Sequence, residues 1–267
     1  MRTFNKFVFF TTYAVLVFTG YSAAISSGPT SYLAQYGYLP PDDPEGPRSI
    51  ISDDKFSNAI RDFQKFMGLT VTGELDDETK EQMAKPRCGV KDKSPPNPDG
   101  LSSYELGGSR WKVRTLSYKI SKYSTRYPRG ETDRAIRKAF NLWSNVTPLR
   151  FIRKRRGPVH FDIRFEQGKH YNGDDPCVKF DGRFGTLAHA YSPINRGRIH
   201  FDDAENWNKD SESGVNFLQA AAHEIGHALG LEHSDIKSAL MFPTSSYQPN
   251  VQLHQDDITA IQRLYPN

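Results

Sequence analysis

The segment Ala222-His223-Glu224-Ile225-Gly226-His227-Ala228-Leu229-Gly230-Leu231-Glu232-His233 constrains this chain more than any other. Residues four apart share a helix face, so a helix here aims His223 and His227 at one point. Glu224 stands beside that point, free to act on a water. Gly230 can end the helix with a positive φ, and the turn lets His233 supply a third nitrogen. Three protein ligands leave one position open, as a catalytic zinc requires. A bare His-Glu-x-x-His also arises as polar residues on an exposed face. Here the helix is apolar elsewhere (Phe217, Leu218, Ala221, Ile225, Leu229), and the third His and the Gly complete the longer pattern. Zinc lowers the pKa of a bound water to about 7, and Glu224 is placed to take its proton and carry it to a leaving amine.

The chain has 267 residues, enough for one or two domains. With 37% hydrophobic and 25% charged residues it suits a soluble globular protein. Its net charge of +4 is mild and both signs read as interspersed, which points to no nucleic-acid partner. Arg153-Lys154-Arg155-Arg156 reads as a solvated loop between strands. At the N-terminus, Arg2 and Lys6 precede an apolar run from Phe7 to Phe18, then Ser22-Ala23-Ala24. That pattern predicts a signal peptide over 1–24 and secretion. The run is too short to span a membrane, and no later segment is a transmembrane candidate. Asn145-Val146-Thr147 is a formal glycosylation acceptor, but Pro148 follows and a helix leads into it, which argues against occupancy. Two cysteines in a secreted chain ordinarily pair, so Cys88–Cys177 is the plain reading at this stage.

Periodicity divides the remainder. Phe56, Ile60, Phe63 and Met67 fall at helical spacing over 52–67, with Ser52 or Asp53 as cap. Further helices are expected near Thr30–Tyr38 and Asp77–Met83. Lys93-Ser94-Pro95-Pro96-Asn97-Pro98-Asp99-Gly100 reads as a linker. Beyond it, strands are expected over Thr115–Ile120, Val159–Phe165 and Arg198–Phe201. Helices are expected over Glu131–Val146, Gly214–Leu229 and Asp256–Tyr265. The expected layout is a signal peptide over 1–24, a helical unit with linker over 25–100, and a catalytic domain over 101–267. The class is α+β.

These motifs resemble the matrix metalloproteinases, a group of metzincins, in the minimal matrilysin-like form without a hemopexin domain. The resemblance rests on Pro86-Arg87-Cys88-Gly89-Val90, the zinc helix, Met241, Leu187-Ala188-His189-Ala190, His200-Phe201-Asp202 and Gln255-Asp256-Asp257-Ile258. It implies a helical propeptide followed by a twisted mixed five-stranded sheet with three helices, the cleft lying between sheet and zinc helix. It implies a secreted zinc endopeptidase made as a latent zymogen, with Glu224 as catalytic base. Cys88 is then the fourth zinc ligand in the latent form, Arg87 holds the strap by pairing with a carboxylate, and Cys177 is left over. Met241 forms a structural turn beneath the metal. A second, structural zinc is implied at His170, His189 and His200 with Asp174, though Asn172 or Asp175 also fit the fourth position. Calcium, at least one ion, is implied at Asp181, Gly182, Asp202 and Glu205. At a second calcium site Asp162 matches, but Arg198 stands where a carboxylate is expected and could itself pair with Asp162. Phe184 replaces a family glycine and Lys91 a family proline. Substrate is expected to add as a strand along Gly185–Ala190, touching Ala188, with Gln219, Pro243 and Tyr247 shaping a medium apolar pocket. Implied partners are extracellular protein substrates, an activating protease and tissue-inhibitor-type proteins. A zinc-stabilised binding module is the rival reading, and the spare carboxylate of Glu224 argues against it.

Overall fold

Two apolar clusters organise the chain, the smaller built on the N-terminal unit and taking in Phe242 from beyond the linker. A computed structural model describes residues 28–40, 51–93, 110–170, 179–193, 196–208, 214–244, 248 and 250–266. The expected signal peptide lies outside these residues, as do all of the expected linker but Lys93, and Asn172, Asp174, Asp175, Cys177 and Tyr247.

The N-terminal unit holds α1 (Pro29–Gln35), α2 (Asp53–Phe66) and α3 (Asp77–Met83). Ser52 caps α2 by accepting from the Lys55 N–H, and Asp76 caps α3 by accepting from Thr79. Tyr32, Leu33, Tyr36, Phe63 and Met67 form the core. Gln64 is also buried, off the apolar stripe. Its amide donates to Thr72, Thr79 and the Glu74 carbonyl and accepts from the Thr72 and Gly73 N–H groups. One side chain thus satisfies the turn between α2 and α3.

The larger unit is built on a sheet of order β1-β5-β6-β4-β2-β3. Five strands come from beyond the linker: β2 (Thr115–Lys122), β3 (Arg150–Arg153), β4 (Phe161–Glu166), β5 (Thr186–Ala190) and β6 (Arg198–Asp202). The sixth, β1 (Arg87–Cys88), comes from the N-terminal unit and lies parallel on the outer edge of β5. Strand β5 is antiparallel to β6, and the other pairs are parallel. A small pair, β7 (Trp207–Asn208) and β8 (Val215–Asn216), precedes the zinc-motif helix. The helices are α4 (Arg129–Ser144), α5 (Phe217–Leu229) and α6 (Gln255–Leu264).

Helix α4 buries Ala135, Ile136, Ala139, Phe140 and Trp143 against the sheet and α5. Burying each large apolar side chain is worth roughly 1.5–3 kcal/mol. Trp143 Nε1 donates to the Ala222 carbonyl at 2.9 Å, tying α4 to α5. Helix α5 begins at Phe217 rather than Gly214, because Val215 and Asn216 pair with β7 and the Asn216 side chain caps the helix. The basic run does follow a strand: Arg153 ends β3, and 154–157 turn toward β4.

Candidate metal and active site

Helix α5 is buried from Gln219 to Leu229, so its polar residues are held by packing rather than solvated. Gly226 lets the chain beneath it come close: a Cβ there would run into Met241 Sδ and reach Trp143 at 3.0 Å. Gly230 adopts φ 108° and the Leu231 N–H returns to the Gly226 carbonyl at 3.0 Å, ending the helix as expected. The Met241 turn is pinned by α6, where Asp257 accepts from the Leu240 and Met241 N–H groups at 2.8 and 3.0 Å.

The three motif histidines converge. His223 Nε2 lies 3.0 Å from His227 Nε2 and 3.2 Å from His233 Nε2. Together with Cys88 Sγ, these donor atoms all fall within 4.8 Å of one another. Each imidazole is oriented through its other nitrogen. His223 Nδ1 donates to the Leu240 carbonyl, His227 Nδ1 to the Leu231 carbonyl and His233 Nδ1 to Asp92 Oδ1, all at 2.8 Å. Burial keeps the rings neutral and pushes the His223 pKa down to about 3. The Nε2 lone pairs therefore face one point and repel unless a cation lies between them. Three imidazoles and a thiol are a zinc donor set, with their outer hydrogen bonds in place.

Glu224 is buried beside this point, and its Oε2 has no hydrogen-bond partner. Burial pushes its pKa up to about 8. Burial and the nearby Glu224 push the Cys88 thiol up as well. A buried acid and a buried thiol side by side both ask for positive charge. Leu187, Gln219, Leu240, Pro243 and Thr244 line the cleft with them, and Gln219 Oε1 is likewise unpartnered.

The strap from Arg87 to Asp92 fills the cleft by backbone bonds to both walls. Arg87 and Gly89 donate to the Gly185 and Ala188 carbonyls at 2.8 Å, and Cys88 donates to the Pro243 carbonyl at 2.9 Å. A Cβ at Gly89 would meet Thr186 Cγ2 at 2.7 Å. The Arg87 side chain is fully buried, 3.5 Å from the Tyr36 ring centroid, and donates to Tyr32 Oη at 3.0 Å. Its ion-pair partner is Asp92, which also accepts from Tyr38 Oη at 2.8 Å. Burial works against the Asp92 charge, yet Arg87 and His233 hold its pKa at about 2. Sequence reasoning expected a carboxylate for Arg87 but did not find Asp92 or its bond to His233. The one local signal was its place five residues after Arg87 on the same strap.

A second cluster joins His170, His189 and His200. His189 Nε2 lies 3.4 Å from His170 Nε2 and 3.2 Å from His200 Nδ1. Burial and the neighbouring rings lower the pKa of His200 to about 3, and that of His189 also falls. Asp181 accepts from the Thr186 N–H at 3.0 Å, and Asp202 accepts from Gly182 and Ala204. Burial, aided by the neighbouring acids, raises Asp202 to about 6 and Glu205 to about 8, and Glu205 Oε1 is buried without a partner. These carboxylates do not gather their oxygens as tightly as either histidine group gathers its donors. Arg198 sits opposite Asp162 in the sheet register, but its guanidinium lies over Tyr191. Asp162 accepts from Ser121 and pairs with Lys119 at 3.6 Å.

A family model described as Matrixin matches residues 110–266, and one described as a putative peptidoglycan binding domain matches 30–83. The chain is 44% identical to Matrix metalloproteinase-20 of Homo sapiens, over 77% of this chain and 41% of that protein. It is 42% identical to Interstitial collagenase of Oryctolagus cuniculus, over 77% of this chain and 42% of the relative. Identity to the Hatching enzyme of Paracentrotus lividus is 38%, over 88% of this chain and 38% of that protein. The match thus spans about two-fifths of the length of these curated relatives.

Proposed function

The chain belongs to the matrixin family, and from that premise we propose that it is a zinc-dependent endopeptidase of extracellular proteins, made as a latent zymogen. One observation carries the proposal: Cys88, His223, His227 and His233 converge beside the buried, unpartnered Glu224 oxygen. A structural site needs no spare carboxylate. Zinc held by the three histidines supplies Lewis acidity there, acidifying a water to a pKa of about 7 and polarising a peptide carbonyl.

The chain's own residues do the rest. Glu224 takes the proton of the attacking water and returns it to the leaving amine. Leu240, Leu231 and, in the latent form, Asp92 fix the three rings through Nδ1. An extended substrate adds along Gly185–Ala190 and bonds to the carbonyls that the strap now uses, touching Ala188. Gln219 and Pro243 bound the pocket for the side chain beyond the scissile bond, with Tyr247 as a further wall.

Latency follows from occupancy. Cys88 would join the three histidines in holding the zinc and the strap fills the cleft, so an activating protease has to release it. We assign a second, structural zinc to His170, His189 and His200 with Asp174. At least one calcium goes to Asp181, Gly182, Asp202 and Glu205, where burial and neighbouring acids raise the pKa of Asp202 and Glu205. Secretion, matrix substrates such as collagen and tissue-inhibitor-type partners complete the reading. The name of one relative, Interstitial collagenase, supports the collagen substrate.

The test is cleavage of a quenched fluorescent collagen-like peptide by the purified proenzyme, before and after a thiol-capturing organomercurial. Activity is expected only after treatment, constitutively in Cys88→Ser, and never in Glu224→Ala. Silence of both wild type and Cys88→Ser with zinc bound would sink the proposal.

A further inference from the structure

Charge is not interspersed along this chain. Residues 110–157 hold fifteen of its 35 Lys and Arg but only two of its 31 Asp and Glu. That segment carries a formal +13, leaving −9 on all the other residues together. The net value of +4 conceals a strongly polarised molecule.

The fold keeps those cations together. The segment forms β2, α4 and β3, at the end of the sheet opposite β1 and β5. Its two acids are already taken, Glu131 by Arg134 and Asp133 by Arg153. Arg137, Lys138, Arg150, Lys154, Arg155 and Arg156 are all exposed. Helix and edge strand share this surface. Arg153 of β3 pairs with Asp133 of α4 and donates to the Tyr123 hydroxyl, and Arg129 lies over the Tyr123 ring. The turn at 154–157 continues from Arg153 past Lys119, which donates to the Gly157 carbonyl. Self-repulsion on this scale costs stability. A surface that concentrates it suits a polyanion.

We propose that this face binds a sulfated polysaccharide of the extracellular matrix. Ten of the fifteen cations are arginines, whose planar forks match sulfate oxygens in pairs. The segment's aromatic side chains are all buried or half-buried, so it lacks the stacking platform that single-stranded nucleic acid uses. The choice of a matrix polyanion rests on the secreted reading above, but the surface itself does not depend on peptidase activity. Four strand spacings separate β3 from β5, about 19 Å. An anionic chain bound there leaves the cleft open, and the face anchors the enzyme to matrix while its active edge stays free.

The experiment measures binding of the full-length proenzyme to heparin, to fully desulfated heparin and to duplex DNA across a salt series. The variant is Lys154→Ser/Arg155→Ser/Arg156→Ser, in an exposed turn. The control is Lys55→Ser/Lys65→Ser/Lys80→Ser, which removes equal charge from the exposed surface of α2 and α3. The expected result is tighter binding to heparin than to either other ligand. The turn variant should lose about tenfold in affinity and two to three units of salt slope, by analogy with phosphate contacts. Equal losses in variant and control would overturn the proposal, because net charge alone would then explain binding. DNA binding as tight as heparin binding, or equal binding after desulfation, would also overturn it. Unchanged thermal unfolding of both variants shows that a loss is not misfolding, and a protein inactive on every peptide can still pass or fail this test.

Discussion

Asp92 joins parts of the molecule far apart in sequence: it neutralises Arg87, accepts from Tyr38 and orients His233. Replacing it with Asn keeps the shape and removes the charge, leaving the Arg87 guanidinium buried and unneutralised. Breaking a buried pair in this way costs about 3 kcal/mol or more. Asp92→Asn should therefore lower the urea midpoint of the proenzyme and raise its activity before any thiol treatment; unchanged latency would show that Cys88 alone holds the strap. Phe184 makes an opposite case. It holds φ 67° and remains 43% exposed, so little packing offsets the strain of a left-handed backbone. Phe184→Gly should stabilise the fold by about 1 kcal/mol in denaturant titration. At this scale the motif histidines were legible because their spacing is local and the helix geometry converts it directly into convergence. The Asp92–His233 bond was not, because it spans 141 positions and no local pattern encodes it.

Helices α2, α3, α4 and α6 were readable within a residue or two because each carries a local signal, an apolar period in α2, α4 and α6 and an Asp76 cap in α3. The short strands β1 and β3 were not. β1 is two residues long and exists only because β5 offers it an edge. β3 is an edge strand of mostly exposed residues, two of them arginines, so it carries no alternating pattern. Helix α5 shows how packing overrides propensity. Ala is the better helix former by about 1 kcal/mol, yet at Gly226 its Cβ would collide with Met241. Gly226→Ala should destabilise the protein by about 1–2 kcal/mol net, read as a lowered midpoint; a gain in stability would mean that the Met241 turn yields freely. Strands β2 and β4 are tied at Glu166, which accepts from Lys122 and Arg164. Burial works against its charge, but the two cations lower its pKa below the usual Glu range. A lowered carboxylate contributes stability above its unfolded pKa and loses it as pH falls through the lowered value. The melting difference between wild type and Glu166→Gln, under about 1 kcal/mol at pH 7, should vanish in strong acid.

For the whole molecule, zinc at the proposed site beneath the cleft strap would make metal content a stability variable. A cation bound only by the folded state adds to its stability by mass action. Stripping zinc with a strong chelator should lower the thermal midpoint of the proenzyme, and by less in Cys88→Ser, which has one donor fewer to lose. An equal drop in both would remove Cys88 from the metal site. The α+β class and the order of helical unit before sheet unit were legible because the composition changes at the linker. The charge polarity was equally present in the sequence but was hidden by summing over the chain. The tyrosine clasp around Arg87 has a consequence for how latency ends. Tyr32, Tyr36 and Tyr38 hold the strap through its arginine and Asp92, and they belong to the N-terminal unit, not to the cleft. While the chain is continuous, strap and cleft meet at an effective concentration set by the connection between them, in the millimolar range for a short flexible one. A single cut between residues 93 and 110 changes no contact in the clasp and yet turns inhibition into a bimolecular equilibrium. From that moment dilution alone can release the enzyme, and crowding can keep it shut.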